Sequence, residues 1–255
     1  MINELRSPFL ILAISFLLMW FSVWIGVCLR LRHPDMDQDV RRDFELIIAS
    51  TLTLLGLIIG FSFSMAINRY DQRKNYEETE ANAIGTEYVR ADMLPPTDAA
   101  RVRALLRDYL DQRILFYQIR DEHGSQQVNG RTAELETELW SAVKGPAAAQ
   151  PNAVLALVLS GMNDVLNSQG YTQASWWNRI PLPAWGLMTV IAICCNLLVG
   201  YGARHPEAEG FLMLILPIVV SVSFFLIADI DSPSGGVILV QPQNLVSLAQ
   251  SLQAQ

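Results

Sequence analysis

The chain has 255 residues, of which 51% are hydrophobic and only 17% are charged, and its mean hydropathy is +0.27. An average globular chain carries about 25% charged residues, so the charges here must be excluded from long segments. A net charge of −7 with 18 basic residues provides no basic surface and argues against nucleic acid as a partner.

Four segments contain no Asp, Glu, Lys or Arg, and each is close to the length of a membrane span. They are Ser7–Leu29, Leu46–Asn68, Ile180–Ala203 and Gly210–Ala228. A helix needs about 20 residues to cross about 30 Å of hydrocarbon. The first segment is too long for a signal peptide, and no small-x-small cleavage pattern precedes Arg30. The sequence therefore predicts an all-α membrane protein with four spanning helices in two pairs.

The polar region between the two pairs is predicted to be helical. No strand-type alternation persists there, and nothing interrupts the segment from Phe44 to Leu94 before Pro95-Pro96. We expect the second span to continue beyond the membrane as one helix. Gly145-Pro146 is expected to end a later helix. The predicted division is residues 1–68 (first helix pair), 69–179 (helical domain continuous with the second span), 180–228 (second pair) and 229–255 (C-terminal segment).

No set of residues with catalytic or metal-binding spacing is found in the sequence. His33, His123 and His205 are predicted to lie in three separate loops, and we interpret them as surface residues. Asp35–Asp39 resembles the start of a calcium loop, but Val40 and Leu46 replace the glycine and the glutamate that such a loop needs. We predict a protein that is not an enzyme and has no cofactor and no metal site. The spans also lack the ionisable groups of proton-coupled transporters.

Two stripes with a period of four residues follow the second span. Gly56, Gly60 and Ser64 form the small-xxx-small pattern that lets helices pack closely. Thr53, Leu57 and Phe61 form an adjacent stripe that suits the lining of a pathway. The alternative, that both stripes are ordinary packing surfaces, stays open from spacing alone.

Four segments resemble bestrophins and the prokaryotic bestrophin-like domain family. These segments are Leu55–Lys74, Glu80–Tyr88, Gly161–Asp164 with Arg179–Pro181, and Asp229–Gly235. Bestrophins are pentameric, mostly anion-selective ion channels, and the second span of each subunit lines the axis. The resemblance places an apolar pore neck at Thr53, Leu57 and Phe61.

The resemblance also implies roles at the ends of the spans. Asn68, Arg69, Tyr70 and Asp71 would form the membrane exit of the second span, either as determinants of permeation or as membrane-edge anchors. Asp229 and Asp231 would make helix-end and inter-subunit contacts. The acidic run of the animal calcium clasp is replaced by Gly236–Leu239, so we expect no calcium gating.

Together with the resemblance, these features predict a homo-oligomeric channel, a pentamer as the resemblance implies, that conducts inorganic ions across the lipid bilayer of the bacterial inner membrane. Basic residues flank the two sides of the spans equally and leave the orientation open. The resemblance implies that both termini and residues 69–179 are cytosolic. The alternative function is a non-conducting membrane scaffold or signalling protein whose helical domain binds a partner.

Overall fold

The computed structural model describes residues 7–32, 37–149, 151–203 and 210–253. Across these ranges the secondary structure is helical, with connecting loops and no strand. The chain divides into two compact units. The membrane unit comprises Met1–Arg69 and Arg179–Ile238, and the polar unit comprises Tyr70–Asn178 and Leu239–Gln255.

Eight α-helices are present in the described residues. In chain order they are α1 (Pro8–Arg32), α2 (Gln38–Arg90), α3 (Pro96–Gln118), α4 (Glu122–Ala149), α5 (Ala153–Trp177), α6 (Leu182–Gly202), α7 (Leu212–Asp231) and α8 (Gln243–Gln253). A short 3₁₀ turn, Ala91–Met93, follows α2. Four apolar stretches are long enough to cross a membrane, and they lie in α1, α2, the segment that holds α5 and α6, and α7. The predicted all-α membrane protein with four spanning helices is confirmed.

Helices α1, α6 and α7 pack against one another and form most of the membrane unit. Its core contains buried apolar side chains from all four apolar segments, among them Met19, Leu55, Met188, Ala192, Val220 and Phe224. Where α1 crosses α6, the backbones touch: a Cβ at Gly26 would overlap the Leu197 carbonyl oxygen, and one at Gly200 would overlap the Val23 carbonyl oxygen. The close helix contact of this unit therefore depends on Gly26 and Gly200.

The small-residue stripe predicted on α2 differs from the crossing at Gly26 and Gly200, because its residues are exposed in the subunit. A Cβ at Gly56 or Gly60 would meet no atom of the described residues within 4 Å. Ser64 is also exposed in the single chain. The stripe thus has no packing partner within the described part of this subunit, and contact with another helix there stays a prediction.

The continuation of α2 carries the core of the polar unit. Fully buried apolar side chains from α2 to α5 and α8 meet there, including Ile84, Leu106, Leu135, Leu139, Met162 and Leu245. Two buried carboxylates of α2 add polar contacts. Glu77 accepts hydrogen bonds from the backbone N–H groups of Asn244 and Leu245, both at 2.9 Å, and so caps the start of α8. Glu80 pairs with Arg113 and accepts a hydrogen bond from Thr172 Oγ1 at 3.1 Å.

The predicted helix end at Gly145-Pro146 is wrong. Helix α4 continues through both residues to Ala149. Ala142, Val143 and Ala147 lie on the buried face of this turn. Burial of that face outweighs the hydrogen bond that Pro146 cannot donate, because helix stability in proteins comes mainly from packing.

We expect Gly200→Ala to destabilise the membrane unit, because the added methyl group overlaps the backbone of α1. Overpacking of this kind costs about 1–3 kcal/mol or more. Gly186→Ala is the matched control: it is on the same helix, but its Cβ meets no described atom within 4 Å. Thermal unfolding in detergent should give a lower melting temperature for Gly200→Ala only. Equal melting temperatures for the two variants would contradict the close crossing.

Candidate functional site

The exposed face of α2 is apolar and lies opposite the face that packs in the membrane unit. Leu55, Ser62 and Ala66 are buried. Leu57 is 53% exposed, Phe61 is 63% exposed, and Thr53 is exposed on the same stripe. At 3.6 residues per turn, this stripe is centred about 160° from the buried positions. The residues predicted to form a neck therefore point away from the subunit's own core.

The exposed apolar surface of α2 is too large to face water. Only 11% of the most apolar 18-residue stretch of α2 is buried within the subunit, whereas 50% of the corresponding stretch of α7 is buried. Burial of such surface is favourable at about 25 cal/mol per Å². In a membrane protein this face is covered by lipid or by other protein chains.

The hydroxyl group of Thr53, the polar residue of the stripe predicted to form the neck, is hydrogen-bonded within α2. Thr53 Oγ1 donates a hydrogen bond to the Ala49 carbonyl oxygen at 2.8 Å. This leaves only oxygen lone pairs free to interact with a solvent molecule or an ion at this level.

The exit of the spanning part of α2 is joined to two other helices through Asp231. Its Oδ1 accepts a hydrogen bond from Arg69 Nη1 at 3.2 Å, and its Oδ2 accepts one from the backbone N–H of Ile180 at 3.0 Å. Asp231 is the last residue of α7, and Ile180 lies just before α6. One largely buried carboxylate thus holds the exit of α2, the approach to α6 and the end of α7 together.

The other residues predicted at the exit of α2 differ from Arg69 in their exposure and contacts. Asn68 and Asp71 are exposed. Tyr70 is half-buried and packs against the hydrophobic core of the polar unit. Arg69, by contrast, is held by its hydrogen bond to Asp231 at the end of α7.

Asp229 organises the segment that follows α7. Its carboxylate accepts hydrogen bonds from the backbone N–H groups of Val237 and Ile238, at 2.7 and 2.8 Å. A Cβ at Gly236 would overlap this carboxylate, so glycine is needed for the segment to fold back. Asp229 and Asp231 are both buried with partners in their own chain. The inter-subunit contact predicted for these two residues stays a prediction.

The candidate metal ligands that the structure describes do not form a metal site. Among the described residues, no three His, Cys, Asp or Glu side chains are grouped so as to hold a metal ion. His123 is exposed in the first turn of α4 rather than in a loop. His33, His205, Asp35 and Met36 lie outside the described residues.

The comparisons with known proteins identify the family. The sequence matches the bestrophin-like domain over residues 13–245. The chain belongs to the bestrophin-like family. A crystal structure of a bacterial bestrophin homologue from Klebsiella pneumoniae superposes with a TM-score of 0.64 at 12% identity, covering 96% of this chain and 97% of that one. Two single-residue variants of a bestrophin homologue from the same organism give TM-scores of 0.65 and 0.66 at 11% and 12% identity, covering 96% of this chain and 97% and 99% of theirs. At such identity the likeness establishes the fold. No curated protein matches the sequence significantly.

The sequence predicts Arg69 at the exit of α2 and Asp231 in a helix-end or inter-subunit contact, but it does not predict the hydrogen bond between these two side chains. Arg69, Ile180 and Asp231 each lie in a segment that resembles the family, yet they are separated by more than fifty residues at the closest. The donor in one contact is a backbone N–H, which no side-chain pattern reveals.

A double-mutant cycle tests the link at Asp231. Asp231→Asn and Arg69→Gln should each lower the melting temperature in detergent, because each leaves a partly buried charge without its partner. Their combined effect should be smaller than the sum, with a coupling of about 0.5–3 kcal/mol. Asp71→Asn, a change at an exposed neighbouring site, is the control. Strict additivity of the two changes would refute the contact.

Proposed function

We propose that this protein is a homo-oligomeric ion channel in which α2 from each of several copies surrounds a central pathway. Thr53, Leu57 and Phe61 form its apolar neck. The observation that carries this proposal is the position of the stripe on the side of α2 opposite the subunit's own packing face. A single subunit has no second α2, so only a ring of copies encloses a pathway along this face.

The two flanks of the neck stripe support a ring. Gly56, Gly60 and Ser64 are centred about 60° to one side of it. On the other side, at a similar angle, Leu54 and Met65 are 45% and 41% exposed. In a ring of four to six helices, the direction to a neighbour lies about 45–60° from the direction to the axis. Large side chains of one copy would therefore face the small residues of the next, which is a head-to-tail contact that closes into a ring.

A pentamer is the assembly we propose, because it lies in this range and is the assembly that the family resemblance implies. In such a ring, Leu57 and Phe61 would resist the passage of hydrated ions through the cost of desolvation. A small change in the radius of this apolar constriction would wet or dry it, which would gate the channel.

Two arguments about the sign of the conducted ion oppose each other. The family resemblance favours anions. The net charge of −7 and the exposed Asp71 at the exit of α2 favour cations by field focusing. We retain anion conduction as the proposal, and the sign of the reversal potential across a KCl gradient decides between the two.

We expect Phe61→Ala to raise ion flux, because it removes an aromatic side chain from the neck. Phe63→Ala is a closely matched control: Phe63 is on the same helix, about 160° away around it, and is 36% exposed. Flux of purified protein in liposomes should rise, by about tenfold if the constriction contributes about 1.4 kcal/mol to the barrier. The two variants and wild type are compared at the same oligomeric state, measured by light scattering.

The outcomes separate the two candidate functions. If neither wild type nor Phe61→Ala passes ions while both remain oligomeric, the protein is the non-conducting scaffold considered above. If Phe61→Ala and Phe63→Ala change flux equally, the neck lies elsewhere on α2. A monomer in mild detergent would remove the basis of the proposal.

We also propose that the protein lies in the bacterial inner membrane with both termini and residues 69–179 in the cytosol. A reporter enzyme fused near residue 125, in the polar unit, tests this arrangement. An enzyme that works only in the periplasm should be inactive there, and one that works only in the cytosol should be active. The reverse pattern would invert the proposed orientation without affecting conduction.

A further inference from the structure

A cleft of about 470 Å³ lies between α2 and α5 within the polar unit. Its walls carry amides and hydroxyls, and one cationic and one anionic side chain, Arg90 and Asp164. The amide and hydroxyl residues are Thr79, Asn82, Thr86, Asn167, Ser168 and Tyr171. Two of the segments that resemble the family, Glu80–Tyr88 and Gly161–Asp164, meet at this cleft. Neither segment has a role in the proposed neck.

Glu87 lies buried against the wall of the cleft. It is fully inaccessible to solvent, and neither carboxylate oxygen has a hydrogen-bond partner among the described residues. A Cβ at Gly161 would overlap both Glu87 Oε2 and Arg90 Nη1. The glycine therefore makes room for these two side chains over α5. They lie close to each other, yet they form no ion pair within the described residues.

The surroundings of Glu87 favour its neutral form. Desolvation by burial raises its pKa to about 8, Arg90 on the same helix opposes this rise, and Asp164 on α5 adds to it. Below this pH, Glu87 carries a proton and attracts Arg90 only weakly. The guanidinium of Arg90 is then available to a negatively charged group in the cleft.

We propose that this cleft binds a small zwitterion of the amino-acid type, whose carboxylate pairs with Arg90 and whose ammonium group pairs with Asp164. Opposite charges on the wall suit a ligand with both charges better than an anion, which Asp164 would repel, or a cation, which Arg90 would repel. Arginine pairs with a carboxylate through two parallel hydrogen bonds. The amides and hydroxyls around it bind the remaining polar groups of the ligand. The volume of the cleft exceeds that of such a molecule.

Calorimetry on the purified full-length oligomer in detergent tests the charges of the ligand. L-Serine is the probe, ethanolamine is the matching molecule without the carboxylate, and 3-hydroxypropanoate is the one without the ammonium group. We expect L-serine to bind at least about tenfold more tightly than ethanolamine or 3-hydroxypropanoate. Ethanolamine lacks the contact with Arg90, and 3-hydroxypropanoate lacks the contact with Asp164. Equal binding of the three molecules, or no binding of L-serine to folded protein, overturns the proposal.

Variants assign the contacts to particular side chains. Arg90→Gln and Asp164→Asn should each weaken L-serine binding by at least about tenfold. The controls are the same substitutions at exposed positions on α3, Arg101→Gln and Asp111→Asn, and they should bind as wild type does. Circular dichroism and size-exclusion chromatography confirm that each variant is folded and oligomeric. Wild-type affinity in folded Arg90→Gln would overturn the assignment.

The pH dependence of binding provides a readout that a purely structural role would not change. Raising the pH through the pKa of Glu87 ionises its carboxylate, which then holds Arg90 and lowers the affinity for L-serine. Wild-type affinity should fall between about pH 6.5 and about pH 8.5. Glu87→Gln keeps the side chain neutral and should bind with unchanged affinity across that range. A wild-type affinity that does not vary with pH would refute the role of Glu87. Because binding is measured without ion flux, its result is independent of whether the channel conducts.

Discussion

The membrane unit depends on the buried carboxylate of Asp231. Its two oxygens accept hydrogen bonds from Arg69 and from the backbone of Ile180, so the exit of α2, the approach to α6 and the end of α7 converge at one residue. A carboxylate buried in this way is costly unless both oxygens are paired, and here they are. Asp229, two residues earlier on α7, holds the following segment in place by accepting hydrogen bonds from the backbone N–H groups of Val237 and Ile238. The end of α7 is thus positioned by hydrogen bonds, which are directional, whereas hydrophobic burial is not.

The close crossing at Gly26 and Gly200 lets the backbones of α1 and α6 touch, and α1, α6 and α7 pack together as a group. One side of α2, which includes Leu55, packs into the core of this group. The other side of α2, with Leu57 and Phe61, is left for lipid or for further copies of the chain. The same helix continues into the polar unit, where Glu77 and Glu80 are buried and Arg90 lines the cleft. One element therefore carries the proposed neck and the proposed ligand site.

Several features of the fold were predictable because they follow from local composition. The four apolar segments and the long uninterrupted α2 follow from the absence of charge and of helix breakers. The helix end predicted at Gly145-Pro146 failed because burial of Ala147 and its neighbours outweighs the local effect of proline. The packing glycines were sought on α2, where the four-residue spacing is regular. Within the subunit, the close backbone contact lies at Gly26 and Gly200, a pair that only the crossing of two helices far apart in the chain defines. Packing of another copy against the α2 stripe stays a prediction.

The sequence by itself determined that this is a four-span helical membrane protein of the bestrophin-like family, and it singled out Thr53, Leu57 and Phe61. It did so because hydrophobicity, helix period and short motifs are properties of neighbouring residues. Only the tertiary structure decided which side of α2 is exposed in the subunit, that Asp231 joins three helices, and that Glu87 is buried near Arg90 and Asp164 with no hydrogen-bond partner among the described residues. These are contacts between residues far apart in the chain, and they depend on burial and on backbone groups that no linear pattern encodes.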